Sequence, residues 1–270
     1  MVSTSLPVLI TYCIHSIPQT KLFVKPPAIE GGKNVKMKVL IACEESQRVC
    51  FAFREEGHEA YSCDIVSASR GEGYCWHIKS DVLPLLDGDC EFVTMDGTKH
   101  RIEGQWDLII AHPPCTYLTA TGNRWFNIER YGEKAIQRAK DREEAIAFFM
   151  AIANAKCDRI VIENPVGVMS TVWRTPDQII QPYMFGDAAE KKTCLWLKGV
   201  PPLIPTNEVT PPERVKFDSG KSIPKWYADL WHLPKEERSR LRSQTFPGFA
   251  KAMASQWGNI KINKEAKNEE

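Results

Sequence analysis

The chain has 270 residues, of which 43% are hydrophobic and 26% charged, and its formal net charge is +1. This is an ordinary globular composition, long enough for one large α/β domain with an appendage, and the near-zero charge excludes a general cationic excess as an argument for nucleic-acid binding, though not a local basic face. Nine cysteines form no Cys-x-x-Cys pair, which fits a reducing cytoplasm better than a disulfide framework or a structural zinc site.

In chain order, residues 1–36 read as an extension outside the fold. Val8–Ile14 is apolar but too short to span a bilayer, and no basic start marks a signal peptide. Lys38–Cys43 predicts the first buried strand. Ser46–Glu56 predicts a helix carrying Val49, Phe51, Ala52 and Phe53, stopped by Gly57. Glu59–Cys63 predicts a second strand ending at Asp64, and Val66–Trp76, rich in Gly and Ser, a loop. Glu91–Thr94 predicts a short strand and Trp106–Ala111 a buried one. A long helix follows over Gly132–Ala155, then strands at Arg159–Ile162 and Lys192–Leu197. This alternation implies a Rossmann-like α/β fold whose mostly parallel sheet is covered on both faces. The core spans residues 37–198. Residues 199–247, proline-rich at first, form a loop-rich appendage, 248–260 a helix returning to the core, and 261–270 a charged, disordered tail.

Two strand ends carry the chemistry. Trp106-Asp-Leu-Ile-Ile-Ala-His-Pro-Pro-Cys115 stops at two prolines and delivers a thiol, and Arg159-Ile-Val-Ile-Glu-Asn-Pro165 ends in a carboxylate and an amide. In open α/β sheets ligands sit beyond the carboxyl ends of such strands, so Cys115 and Glu163 share one lip, and a thiol beside an acid points to covalent catalysis. Alone, Cys115 would read as a buried structural thiol and Glu163 as a helix cap; two strand ends flanked by proline favour function. A zinc deaminase is excluded, because its second cysteine would fall where Leu118 stands.

Pro113-Pro114-Cys115 and Glu163-Asn164-Pro165 resemble the motifs of the cytosine-5 DNA methyltransferase family. The strings Ala42-Cys-Glu-Glu-Ser46, Ala111-His-Pro-Pro-Cys-Thr-Tyr117 and Lys191-Lys-Thr-Cys-Leu-Trp196 are similar to a compact, phage-type group of it, over roughly Met37 to Asn259. Two departures stand out: Pro165 replaces the family's valine, and the first loop, Cys43-Glu44-Glu45-Ser46, lacks the usual glycines. The resemblance implies an S-adenosylmethionine-dependent enzyme in which the Cys115 thiolate adds to the cytosine ring beside carbon 5, Glu163 holds the ring nitrogen, and Asn164 and Pro114 shape the turn. It places the cofactor across Cys43, Glu44, Glu45 and Ser46, with a side-chain carboxylate of Glu44 or Glu45 for its ammonium, Asp64 for ribose hydroxyls and Asp81 for the adenine amine. Asn259 is similar to the family's closing Gly-Asn motif, which returns to that pocket. Asp64 and Asp81 read equally as strand-end turn residues.

The implied partner is duplex DNA with a flipped cytosine. Thr116, Tyr117 and Arg124 beyond the nucleophile, with Lys191, Lys192 and Thr193, are the implied substrate contacts, and Trp125 and Phe126 either fill the vacated stack or anchor their loop. Only a small recognition element fits between Lys191 and Gln256, so specificity is short or supplied by a protein partner. No metal site and no membrane partner are expected. The alternatives are transfer of another group from a modified donor, action on RNA or a nucleotide, and a non-catalytic nucleic-acid-binding protein on the same scaffold. Amino-group methylation ranks low, because His112 and Cys115 stand where that chemistry needs Asp or Asn and an aromatic.

Overall fold

A computed structural model describes residues 35–71 and 73–260. The expectations for most of residues 1–36 and for 261–270 lie outside the described residues. Strand β1 (Lys38–Ala42) is followed by α1 (Arg48–Glu55), β2 (Glu59–Asp64) and β3 (His77–Lys79). A hairpin, β4 (Cys90–Val93) and β5 (Lys99–Ile102), precedes β6 (Leu108–Ala111). Then come α2 (Ile128–Tyr131), α3 (Glu133–Ala153), β7 (Ile160–Pro165), α4 (Met169–Val172), β8 (Gln178–Ile180) and β9 (Thr193–Lys198). The rest is a small hairpin, β10 (Arg214–Lys216) and β11 (Ser222–Pro224), followed by α5 (Lys225–Ala228), α6 (Lys235–Ser243) and α7 (Pro247–Trp257).

Seven strands form one sheet in the order β3-β2-β1-β6-β7-β9-β8, with β3, β2, β1, β6 and β7 parallel. The expected mostly parallel α/β sheet is therefore present. Both faces are buried, as a parallel sheet requires. One face packs Leu40, Tyr61, Ile109 and Ile162 against Phe149 and Ile152 of α3 and Phe92 of the β4–β5 hairpin. The other packs Val39, Ile41, Leu108 and Val161 against Val49 and Phe53 of α1 and Phe249, Met253 and Trp257 of α7. The strand order reverses between β1 and β6, so their carboxyl ends frame a crevice at the topological switch point.

Several elements differ from the sequence expectation. Strand β9 runs antiparallel between β7 and β8, because an apolar run encodes burial but not direction. Helix α6 lies in the stretch expected to be loop. It buries no residue, so no apolar stripe announces it, and its ends instead match the helix dipole, with Glu236 and Glu237 in the first turn and Arg240 and Arg242 in the last. β3 and β8 are too short to show a period of their own. No helix among the described residues is long and apolar enough to cross a membrane.

Candidate active site

The ends of β6 and β7 meet as their sequences imply. Ala111 pairs with Ile162, which puts His112 and Glu163 just beyond the last paired residues of neighbouring strands. His112 Nδ1 lies 3.0 Å from Glu163 Oε2. Asn164 Nδ2 donates to the Pro113 carbonyl at 2.7 Å, tying the end of β7 to the double proline. Because β9 pairs Thr193 with Pro165, Lys191 and Thr193 also reach Glu163. Burial is the largest single influence on Glu163 and opposes its charge. The His112 hydrogen bond, the Lys191 and His112 charges and the Thr193 hydroxyl together outweigh it, so the carboxyl lies below its ordinary value.

Pro114 and Cys115 are exposed at this lip. The groups crowding the Cys115 sulfur desolvate it, and the Glu163 carboxylate adds a like charge. Both raise the thiol above its usual range, while Lys191 opposes them. Both influences favour the thiol over the thiolate, so nucleophilicity calls for a base.

The chain beyond Cys115 is fastened at three points. Leu118 and Thr119 N–H both donate to the Cys115 carbonyl at 3.0 Å. Leu118 is buried, and its carbonyl accepts from Val168 N–H at 2.8 Å, just past the Glu163-Asn164-Pro165 turn. Gly167 makes that approach possible: a Cβ there would lie 2.0 Å from the Leu118 carbonyl oxygen. From α3, Arg138 Nη2 donates to the Thr116 carbonyl and Arg142 Nε to the Tyr117 carbonyl, each at 2.8 Å. Arg142 also covers Phe126 at 3.5 Å from its centroid. Tyr117, Trp125, Tyr131, Lys134 and Arg138 border an open cleft of about 560 Å³. Arg124 is exposed and stacks over Trp125.

The other half of the carboxyl edge is built from β1, β2 and β3. Without glycine, the first loop still takes glycine-like backbone, since Cys43 has φ 59° and Gln47 φ 55°. Glu44 is buried, and its two carboxylate oxygens accept from Val49 N–H at 2.7 Å and Cys50 N–H at 3.1 Å. Of the two carboxylates expected here, Glu44 satisfies the exposed amides at the start of α1, so its oxygens are already engaged. Burial pushes the Glu44 carboxyl up, and the His112 charge and these two amides only partly offset it. Glu45 lines an open cleft of about 610 Å³ with Ser67 and Ser69 from the loop after β2 and Lys235 and Arg240 from α6. Its Oε1 is buried without a hydrogen-bond partner among the described residues. Ser46 is buried beneath. Asp64 and Asp81 cap their own turns, accepting from Val66 N–H and Leu83 N–H at 3.1 Å. Both still act on Cys43, whose thiol burial raises first and the Asp64 and Asp81 charges raise further.

Asn259 is not part of this site. Helices α1 and α7 run side by side. Arg48, opening α1, bonds the Thr245 carbonyl and Gln244 Oε1 at 2.8 Å, just before α7. At the far end Gly258 abuts His58, beside the first residues of β1 and β2. Asn259 thus lies at the amino edge of the sheet, and its Nδ2 bonds the Ser255 carbonyl at 2.7 Å. The start of α7, not its end, returns to the lip. Lys191 Nζ approaches the Gln244 carbonyl there at 3.5 Å, while Lys192 is exposed. His112, Arg138, Arg142 and Gly167 were not singled out as site residues by sequence reasoning; of these only His112, adjoining the double proline, carried a local signal. Neither the protein-family models nor the curated proteins yielded a match to this chain.

Proposed function

We propose that this chain is an S-adenosylmethionine-dependent methyltransferase acting on carbon 5 of cytosine in DNA through a covalent Cys115 adduct. The observation that carries the proposal is the exposed thiol beside a buried carboxyl held below its ordinary range, at the ends of adjacent parallel strands. Sγ, once deprotonated, adds to the ring carbon next to carbon 5, forming the S–C bond and pushing the double-bond pair toward carbon 5. Glu163 holds the ring nitrogen through a proton shared between them as the ring gains charge, and Asn164 keeps the proline turn that aims Sγ. Once carbon 5 carries the methyl, a water or side-chain base takes its proton, the C–H pair re-forms the ring double bond and the S–C pair leaves with sulfur, returning the thiolate.

The β1–β3 edge fits the methyl donor. Glu45 Oε1 is an orphaned carboxylate oxygen, which an ammonium satisfies, and Asp64 and Asp81 supply acceptors for hydroxyl and amine groups. Bound there, the donor supplies an electrophilic methyl on a sulfonium. The reversal of strand order between β1 and β6 sets this edge beside the thiol, which is why the sheet suits a methyltransferase. DNA is favoured by the cleft along the chain beyond Cys115, where Tyr117, Trp125 and Tyr131 offer faces for bases and Lys134 and Arg138, beside Asp141, charges for phosphates. One observation favours a second reading, transfer of another group from a modified donor: Cys43 puts a side chain where a glycine would leave room.

DNA containing 5-fluorocytosine tests the proposal. The wild type should form a denaturant-resistant adduct that Cys115→Ser abolishes, and no adduct with the wild type would leave only a binding protein. The mass added to nucleosides in cells expressing the wild type, absent with Cys115→Ala, identifies base and group together.

A further inference from the structure

His112 occupies the middle of the site without a role in the chemistry above. Its side chain is 9% exposed and that of its partner Glu163 10%, and Nδ1 meets Oε2 at 3.0 Å. An ionised carboxylate can only accept, so Nδ1 carries the proton in this pair. The backbone supports the contact, because His112 N–H donates to the Ala42 carbonyl at 2.9 Å and fixes the residue against β1. His112 Nε2 is buried without a partner among the described residues, so the ring has one engaged nitrogen and it is the one facing Glu163.

We propose that His112 is a positioning residue for Glu163: by holding Oε2 through Nδ1 it fixes the orientation in which the carboxyl, faced also by Thr193 and Lys191, meets the pyrimidine. The ring's identity rests on the methyltransferase proposal, whereas the His112–Glu163 pair does not.

Other groups also face this pair. Lys191, preceding β9, favours the Glu163 charge. Cys115, from the same loop as His112, and Cys194, on β9, are themselves raised by it, Cys194 to about 11 by burial first and by Glu163 second. Glu44, after β1, interacts with His112 rather than with Glu163 directly. Glu44 responds to loss of the imidazole in both His112→Asn and His112→Gln, so comparing the two with each other isolates the hydrogen bond to Glu163.

The test compares His112→Asn, whose amide nitrogen can stand at the Nδ1 position, with His112→Gln, whose amide nitrogen stands nearer Nε2. Both are small polar changes, and a thermal melt establishes that each folds. Glu163 ionisation is followed by carbon NMR of side-chain-labelled glutamate, without substrate. Wild type and His112→Asn should titrate below the ordinary glutamate range. In His112→Gln burial prevails and the titration moves up. With 5-fluorocytosine-free DNA, kcat of the Gln variant should fall about 10-fold or more with KM changed less than about 3-fold, and the Asn variant should recover most of it. Identical titration in all three proteins overturns the proposal, as does unchanged kcat in His112→Gln. If the titrations separate but the wild type forms no Cys115 adduct, the pair stands and the methyltransferase proposal falls.

Discussion

Along one sheet edge, two halves solve the problem of holding polar groups in different ways. At the ends of β6 and β7 the side chains hold one another: His112 holds Glu163, Asn164 holds the proline turn, and Leu118 docks on Gly167. At the ends of β1, β2 and β3 the backbone takes them instead, since Glu44, Asp64 and Asp81 each accept from nearby main-chain N–H groups. Among the described residues there, Glu45 is the carboxylate that keeps a buried oxygen without a partner, beside the equally unpartnered amide oxygen of Gln47. The first half is braced by side chain against side chain. The second is a scaffold of capped turns around the open acceptors of Glu45 and Gln47, suited to a ligand that brings its own donors.

If the β6–β7 half depends on mutual fastening, Gly167→Ala should damage it most. The added Cβ would meet the Leu118 carbonyl oxygen at 2.0 Å, so one backbone must move. We expect a loss of about 3 kcal/mol, an overpacking figure, and a Tm lowered by several degrees. Turnover should fall about 100-fold, because the nucleophile loop shifts relative to Glu163. Normal melting and turnover would mean the loop is held elsewhere.

The α3 arginines make the next largest test. Arg142→Ala removes the bonds to the Tyr117 carbonyl and Asn123 Oδ1. About 2 kcal/mol should be lost locally, read as faster proteolytic nicking between 116 and 126 and roughly 10-fold slower turnover. Arg142→Lys should not rescue, lacking the planar fork that serves two acceptors at once. Rescue by Lys would reduce the tether to simple charge.

The same contrast explains what the sequence disclosed. Short proline-flanked motifs at the ends of apolar runs revealed Cys115, Glu163 and Asn164, because prolines and strand periodicity are local signals. The partners that make them a site come from α3 and from the turn after β7, and such long-range contacts leave no local pattern. Two acidic neighbours, Glu44 and Glu45, are indistinguishable in sequence. Their fates diverge because α1 starts a few residues later and its free amides point at the first of them. The parallel sheet was legible from alternating apolar runs and helices, while the antiparallel course of β9 and the charged helix α6 were not, since neither direction nor a solvated helix alters hydrophobic periodicity.

Glu44→Gln and Glu45→Gln sharpen the distinction between scaffold and ligand site. Glu44→Gln replaces one of two acceptors with a donor facing Cys50 N–H and should cost about 1 kcal/mol. Its pH signature has a definite sign. The folded Glu44 carboxyl is raised, so its contribution is fully present below the ordinary glutamate value and is lost as pH rises through the folded value. The stability difference between wild type and Glu44→Gln, from urea midpoints, should therefore shrink from acid toward neutral pH. Glu45→Gln should leave that difference untouched and weaken S-adenosylmethionine binding by calorimetry. Reversed outcomes would exchange the two roles.

The smallest effect belongs to Asn259, whose Gly-Asn motif resembles one that returns to a cofactor pocket. Asn259 ends a helix that starts near the lip and runs to the opposite edge, so no side-chain motion short of unfolding α7 brings it to Glu45. Its amide bonds only the Ser255 carbonyl of its own helix, and it is exposed. Asn259→Ala should change stability by roughly 0.5 kcal/mol or less, as exposed substitutions do, and leave the Kd for S-adenosylmethionine within about twofold, as expected of distant sites without shared partners. A clear loss of affinity would mean that the donor binds across the amino edge, and the division of labour between the two halves of the carboxyl edge would have to be abandoned.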